Sequence, residues 1–428
     1  MIIIYAILLS LCYVWGMHKG RYDLFSARFL FNAFAWVKNV PGTLSYGGYL
    51  SEEMIETYFF YKFLSFFFVN CGISIYESFN HRRYIYTERR LSSEQSYIKI
   101  ALLLLVCGLL MKASIISSAG GIGYILSHMQ ARKLLLAGQH YNQVVSSAFL
   151  TCSVLFSQYY YLKNKSKSSK MLFWGIFIIT LLSTMIFGAR KPALMLVLQV
   201  LMFNHFVNRK YTLKRLMSLR SLIVVIGISM FMVMMPMLRG SAETDLIHDP
   251  LSWAKEASGS LFSVFDEFSY CAGDFFVFDY FSKHELWNGQ TYLNILVQWI
   301  PSSIFPDKPP MDDGMYLWNM MNGYMVTPTT PTRQLPLDSS IPFTMEGALF
   351  ANFGILGICL GALLIGILYQ KVYKVLIDAN CPIIMLIIYQ NIMFVFVPSV
   401  LHTTSVIITC VLLGLIIYFL TGFKFKKL

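Results

Sequence analysis

Apolar residues in this chain are gathered into long blocks of 14 to 27 residues, separated by short polar loops. The blocks neither alternate at the period of a strand nor keep the polar stripe of a surface helix. A helix of about 20 apolar residues crosses a bilayer, and hydrocarbon leaves no backbone polar group unpaired, so each block is predicted to be helical. Eleven spans are predicted: Ile2–Trp15, Ser26–Val40, Tyr58–Tyr76, Ile98–Ile116, Val144–Leu162, Met171–Phe187, Pro192–Val207, Ser221–Leu238, Phe343–Tyr369, Ile383–Val397 and Thr403–Leu420.

Composition supports a lipid solvent, because 56% of residues are hydrophobic and only 13% are charged. Soluble domains are about one quarter charged. The net charge of +12 does not indicate nucleic acid, since most basic residues lie in the short loops. The chain has no Walker, Rossmann or zinc spacing and no CxxC pair, so we expect no cofactor, no metal and no disulfide framework. Membrane lipids are the first expected partner.

The basic loops set the predicted orientation. Six of them fall on one side of an eleven-span topology and carry 20 of the 34 Lys and Arg residues. By the positive-inside rule this side is cytoplasmic, the C-terminus lies there and the N-terminus lies outside. The loops are His18–Arg21, His81–Arg90, Lys163–Lys170, Asn208–Arg220, Lys371–Lys374 and Phe423–Leu428.

Three parts are predicted along the chain: a membrane bundle of about eight helices over 1–238, a large outward segment over 239–342, and about three helices over 343–428. Arg239–Glu346 holds fourteen acidic and five basic residues, the reverse of the loops on the other side. It is too long for a loop without structure. Gly259–Phe281 and Thr291–Phe305 are apolar and aromatic enough to form interfacial helices.

Several basic residues lie on the outward side, where the topology rule predicts few. An arginine at a membrane edge binds phosphate oxygens in bidentate fashion, and a helix start after a Gly turn adds backbone donors. The alternative is that these side chains only snorkel to lipid headgroups. They are Arg190 and Lys191 in FGARKP, Arg239 in PMLRGS, Arg132 and Lys133 after the fourth span, and Arg333 late in the outward segment.

A carboxylate also stands out on the outward side. Glu346 lies in the first turns of the ninth span, where an unpaired charge is costly. It either pairs with an arginine or takes a proton from a hydroxyl as a general base. The other candidates for a base are Asp266, Glu267 and His402, although a lone His at a helix turn is more often a hydrogen-bonded structural residue. Asp274 is a further outward-side candidate with no role assigned to it.

Two further acidic runs and three glycines have a structural interpretation. We expect Asp312–Asp313 to form a turn and Ser51–Glu56 to form a solvated loop. Gly347, Gly354 and Gly357 are expected to allow close helix packing.

The order of four motifs resembles the Wzy-type polymerases of O-antigen and oligosaccharide repeat units. The motifs are FGARKPALMLVL (Phe187–Leu198), MLRGS (Met237–Ser241), PSSIFPDKPPM (Pro301–Met311) and PFTMEGALFANFGILG (Pro342–Gly357). The resemblance implies an all-α polytopic fold of GT-C-like architecture in the bacterial inner membrane, with its active site facing the periplasm.

The resemblance also implies a function. The enzyme would be a metal-independent, inverting glycosyltransferase that polymerises undecaprenyl-pyrophosphate-linked repeat units, with lipid-linked donor and acceptor and a chain-length regulator as partners. Arg190 and Arg239 would bind the donor pyrophosphate by their match to the family's arginines, with Lys191, Arg333 and Arg132 as further candidates.

Three alternatives stay open at this stage. An O-antigen ligase would share the architecture and the donor, but it would be expected to have a catalytic His in the outward loop. A transporter or flippase would favour charges in mid-span and paired half-repeats. A scaffold without enzymatic activity would give no reason for outward arginines.

Overall fold

The computed structural model describes residues 1–46, 50–79, 84–87, 94–128, 139–187, 190–212, 270–298, 300, 304–422 and 424–427. Within these ranges the chain is predominantly helical. Six of the described helices are long and apolar enough to cross a membrane. The predicted class, an α-helical membrane protein, agrees with this. The six are Ile2–Lys19, Glu52–Phe79, Ser96–Ser118, Lys167–Met185, Met345–Asp378 and Val400–Thr421.

The described part of the chain contains fourteen α-helices and two short strands. The helices before the outward segment are α1 Ile2–Lys19, α2 Ala27–Asn39, α3 Glu52–Phe79, α4 Glu94–Ser118, α5 Ile122–Ser127, α6 His140–Asn164, α7 Lys167–Met185 and α8 Arg190–Val207. Those that follow are α9 Cys271–Lys283, α10 Gln290–Val297, α11 Gly314–Met321, α12 Met345–Asp378, α13 Ile383–Phe394 and α14 Val400–Thr421.

Ten of the eleven predicted spans coincide with helices, and the other, Ser221–Leu238, lies outside the described residues. The expectation of a loop over Ser51–Glu56 is wrong, because α3 already begins at Glu52. Glu52 and Glu53 occupy its first turn, where a negative charge interacts favourably with the helix dipole. The interfacial helix expected over Thr291–Phe305 is shorter than predicted, since α10 ends at Val297.

The fold divides into two compact units that interleave along the sequence. Unit 1 comprises Met1–His81, Leu261–Lys374 and Asn391–Ile408, and unit 2 comprises Arg82–Ser260, Val375–Gln390 and Thr409–Leu428. The described residues of the segment predicted to face outward therefore belong to the same unit as the first three helices. Apolar blocks alone give no sign of this grouping, because every block looks equally suited to any neighbour in lipid.

In unit 1, glycines let α3 and α12 cross at very short range. A Cβ added to Gly72 would lie 2.1 Å from the Leu363 carbonyl oxygen, and one added to Gly366 would lie 2.1 Å from that of Val69. Small residues at such crossings are how helices approach closely in membranes. The crossing fixes the relative positions of the two helices that carry most of the site described below.

Helix α12 is broken at Gly354, which has φ +62° and ψ −148°. This conformation is essentially restricted to glycine. The Ala351 carbonyl before the break accepts the Trp287 N–H at 2.9 Å, so a backbone acceptor is satisfied from the outward segment. Gly354 was expected only to allow close packing; it interrupts the helix instead. Gly357 does pack closely, against the Leu349 carbonyl.

In unit 2, α4 packs along α6, and Ser153 Oγ donates to the Ala101 carbonyl at 2.7 Å. Gln158 and Gln390 each donate to a carbonyl of α8, at Val200 and Met195, at 2.9 and 2.8 Å. The strands Tyr84–Thr87 (β1) and Lys424–Lys427 (β2) pair antiparallel. These strands were not predicted, because their sequences indicate only basic loops.

Candidate functional site

A buried cluster of three charged side chains lies where α3, α9 and α12 meet. Lys62 Nζ donates to Asp274 Oδ2 at 2.7 Å and to Glu346 Oε2 at 2.9 Å. Lys62 is 0% exposed, Asp274 1% and Glu346 5%. Ser65 Oγ donates to the second Glu346 oxygen at 2.7 Å. One ammonium therefore bridges two carboxylates inside an apolar helical protein.

Local sequence explains how the two carboxylates come to share one lysine. Glu346 is the second residue of α12, directly after the end of the outward segment. Thr344 caps this helix start, since its Oγ1 accepts the Gly347 N–H at 3.0 Å and donates to Asp274 Oδ1 at 2.5 Å. A Cβ on Gly347 would lie 2.8 Å from that same oxygen. Gly347 thus does allow close packing, here against a carboxylate.

The charges of the cluster do not cancel, because two carboxylates face one ammonium. Burial raises the pKa of Asp274, and the nearby Glu346 adds to this, whereas Lys62 and Thr344 oppose it. Burial is the largest of these effects, so Asp274 holds a proton more readily than an ordinary aspartate.

Lys38 near the end of α2 is a second cation associated with this cluster. It interacts electrostatically with Glu346, Lys62 and Asp274, yet its side chain is exposed. Its positive charge adds to that of Lys62 near the two carboxylates.

Sequence reasoning placed Glu346 in the site but missed Lys62. The arginine partner expected for Glu346 is wrong, since the partner is a lysine on α3. A signal was present: Lys62 is the only charged residue between Tyr58 and Tyr76, a predicted span. An ionisable residue inside a span is a functional hypothesis by default. Asp274, one of the weaker candidates, completes the cluster.

His402 lies in the first turn of α14, where it takes part in a helix cap. Ser399 Oγ lies 2.9 Å from His402 Nδ1 and accepts the His402 N–H at 3.4 Å. Asp313 Oδ2 accepts the Val400 N–H at 2.8 Å, and a backbone hydrogen bond from Leu401 also reaches Asp313. Asp312 forms the expected turn, accepting the Gly314 N–H. Asp313 thus connects the start of α11 with the start of α14, which lies 87 residues further along the chain.

Of the predicted cations, only Arg333 has a described side chain, and it does not belong to this cluster. Arg190 and Lys191 begin α8, and their side chains are outside the description. Arg333 is exposed and pairs with Asp307. Four further predicted site residues lie outside the described residues: Arg132, Arg239, Asp266 and Glu267.

Within the described ranges, no group of three or more His, Cys, Asp or Glu side chains is arranged to hold a metal ion. Compared with protein-family models, with curated proteins and with solved structures, the chain matches none of them. Its function therefore has to be argued from its own residues.

Proposed function

We propose that this protein polymerises undecaprenyl-pyrophosphate-linked oligosaccharide repeat units at the periplasmic face of a bacterial inner membrane. The proposal includes an eleven-span, GT-C-like architecture and a metal-independent, inverting glycosyl transfer. The observation that carries it is the buried Lys62–Asp274–Glu346 cluster at the entry to α12. This is the position at which the Wzy-like motif PFTMEGALFANFGILG leads from the outward segment into the membrane.

Four hydrogen bonds in unit 1 support the eleven-span topology. Each joins two positions that this topology places on the same side of the membrane, although the partners are 49 to 350 residues apart. A wrong topology would be expected to pair opposite sides. The links are Tyr5 to Glu56 at 3.3 Å, Arg28 to Glu77 at 2.8 Å, Tyr373 to Asp23 at 2.8 Å and the Val400 N–H to Asp313 at 2.8 Å.

The number of membrane crossings between α3 and α9 supports the predicted span Ser221–Leu238, which lies outside the described residues. Phe79 ends α3 on the inner side of this topology, and Cys271 begins α9 on the outer side. Four described helices that coincide with predicted spans, α4, α6, α7 and α8, lie between them. If each of the four crosses the membrane, the chain returns to the side on which it started, so this topology needs a fifth crossing. Ser221–Leu238 is the apolar block that supplies it.

The cluster has the chemistry that the transfer step requires. The acceptor hydroxyl gives its proton to a carboxylate while its oxygen attacks the anomeric carbon of the donor. The bond from that carbon to the pyrophosphate oxygen breaks, and the lipid pyrophosphate leaves with the electron pair. Glu346 is the proposed base, and Asp274 is the second carboxylate that shares Lys62.

The leaving pyrophosphate needs fixed positive charge, because negative charge develops on it in the transition state. Arg190 and Arg239 are assigned this role by the family resemblance. Arg190 is also the first residue of α8, where backbone donors add to anion binding. Lys191, Arg132 and Arg333 are further candidates, and a chain-length regulator is the expected protein partner.

The test is reconstitution in vesicles with lipid-linked repeat units, with products separated by length on a gel. Wild type should give long polymer, and Glu346→Gln and Asp274→Asn should give single units at unchanged protein level. The matched control is Asp279→Asn, an exposed carboxylate on the same helix as Asp274. Long polymer from both cluster variants would overturn the assignment. Transfer to lipid A core without polymer would indicate the ligase instead.

A transporter of lipid-linked glycan is the second candidate, because two observations favour it. Lys62 is a buried charge within a spanning helix, and α12 is interrupted at Gly354. Buried ionisable residues and broken helices are common in transporters. The same vesicles separate the two functions: a transporter would move the labelled lipid-linked unit across the bilayer and leave its length unchanged.

A further inference from the structure

Lys112 in the outer half of α4 is a buried cation without a counter-charge among the described residues. Its side chain is 6% exposed. Among the described residues its ammonium makes no hydrogen bond or ion pair. It lies over the ring of Phe187, with 4.7 Å between Nζ and the ring centroid. A cation–π contact offsets only part of the cost of removing an ammonium from water. A buried charge of this kind normally has an anionic partner.

The sequence around Lys112 provides almost no such partner. From Gln95 to Ala242 the chain has sixteen Lys and Arg residues and no Asp or Glu. Of the helices α4, α6, α7 and α8, only α4 has an acidic residue, Glu94 at its first position. Eighteen residues separate Glu94 from Lys112, about 27 Å along a helix. These four helices and the chain from Gln95 to Ala242 therefore supply no nearby carboxylate for Lys112.

Phe187 places Lys112 beside the start of α8. Phe187 packs in one apolar cluster with Ile115 of α4 and with Ala119 just after that helix, and α8 begins three residues after Phe187, at Arg190. A helix start presents unpaired N–H groups and a positive dipole end. No acidic residue occupies the first turn of α8. A buried ammonium and a helix start without internal anions thus lie in one region.

We propose that Lys112 binds a phosphate group of a lipid-linked diphosphate at the start of α8. The inference rests on the proposed function and extends it by adding a residue to the donor-binding site. In this assignment Lys112 supplies a fixed, desolvated charge. The apolar cluster around Phe187 keeps water from competing for the anion.

Binding can be measured on the purified protein without any activity. Farnesyl diphosphate and inorganic pyrophosphate are titrated as probes by calorimetry in detergent. Lys112→Met should weaken binding at least tenfold, Lys112→Arg should retain it, and Lys99→Met should have no effect. Lys99 is the matched control because it lies exposed on the same helix. Tighter binding of farnesyl diphosphate than of pyrophosphate would identify a lipid-linked ligand. Equal affinity for the two probes would identify a free anion. Unchanged affinity for both probes in Lys112→Met would overturn the proposal.

Stability distinguishes a ligand site from an internal ion pair. Without an anion, Lys112→Met should be at least as thermally stable as wild type, because an unpaired buried charge has been removed. A lower melting temperature with unchanged affinity would mean that Lys112 pairs with a carboxylate of the chain, and would overturn the proposal. If Lys112→Met does not fold, pyrophosphate should still protect wild-type Lys112, but not Lys99, from an amine-reactive label. Equal labelling with and without pyrophosphate would count against the site.

This outcome is independent of the polymerase assignment. Loss of binding in Lys112→Met together with absence of polymer from wild type would leave the anion site standing and remove the polymerase. Polymer from wild type together with normal probe binding in Lys112→Met would support the polymerase and remove the anion site at Lys112.

Discussion

At the scale of single residues, Lys62 determines whether two buried carboxylates can coexist. Its removal would leave Asp274 and Glu346 facing each other without a counter-charge. We expect Lys62→Met to lower the free energy of unfolding by about 3–5 kcal/mol, the usual cost of breaking a buried ion pair from one side. Chemical unfolding in detergent, followed by circular dichroism, measures this.

The double variant tests the reason for that loss. Lys62→Met with Glu346→Gln removes one buried charge of each sign, so part of the lost stability should return. If the double variant is as unstable as the sum of the two single variants, Lys62 acts through packing and not through its charge. The ring of Tyr58, whose centroid lies 5.2 Å from Lys62 Nζ, would be the packing partner in that case.

Of the residues in the cluster, the sequence indicated the carboxylate Glu346 but gave no prediction for Lys62. Glu346 stands out because it interrupts an apolar block just after a polar segment. Lys62 stands in a block that otherwise satisfies every requirement of a span, so it lowers the hydropathy only slightly. Its partners are 212 and 284 residues away. No local pattern encodes a contact over such a distance.

At the scale of elements, Asp313 links the start of α14 to the start of α11. Burial raises the pKa of Asp313 to about 7, and Asp312 adds to this, while the Val400 and Leu401 N–H groups oppose it. The folded protein therefore binds this proton more readily than the unfolded chain. Stability is expected to fall as the pH rises from about 4, the ordinary Asp value, to about 7.

The pH dependence of the melting temperature in detergent checks this. Asp313→Asn keeps an acceptor oxygen for the Val400 N–H but cannot titrate, so its melting temperature should change less between pH 4 and pH 7. Asp313→Ala also removes the cap and should lose about 1 kcal/mol of stability throughout that range. An identical pH profile for wild type and Asp313→Asn would show that another group is responsible.

The break in α12 is a second prediction for an element. Gly354→Ala forces a Cβ into a left-handed conformation and should cost roughly 1–3 kcal/mol in unfolding free energy. Gly175→Ala in α7 is the matched control, because an added Cβ there meets no atom within 4 Å. Thermal unfolding should separate the two variants. Equal stability of both would mean that α12 can run continuously through position 354.

Helix positions could be predicted, because length and hydropathy suffice in a lipid solvent. The break at Gly354 could not be predicted, since a glycine in a spanning helix more often allows close packing. The same holds for β1 and β2, which pair across 337 or more residues. In each of these features the backbone conformation depends on a partner that is distant in sequence.

At the scale of the whole molecule, the prediction is the side of the membrane on which each loop lies. Three exposed positions test it in a background with the native cysteines replaced by alanine: Met325, Arg209 and Lys371. A membrane-impermeant maleimide should label Met325→Cys in intact spheroplasts. It should label Arg209→Cys and Lys371→Cys only after permeabilisation. Labelling is read from a gel shift of the purified protein.

Two positions that label from opposite sides show that the chain crosses the membrane an odd number of times between them. Met325 and Lys371 flank most of α12, so labelling from one side would mean that this helix does not cross the bilayer. Arg209 and Met325 flank Ser221–Leu238. Labelling of both from the same side would mean that this segment does not cross the membrane and that the chain does not cross five times between α3 and α9. In that case Glu346 and the turn before Arg190 would face opposite sides of the membrane. A single active site could not use both, because the donor diphosphate and the proton acceptor would be separated by the bilayer.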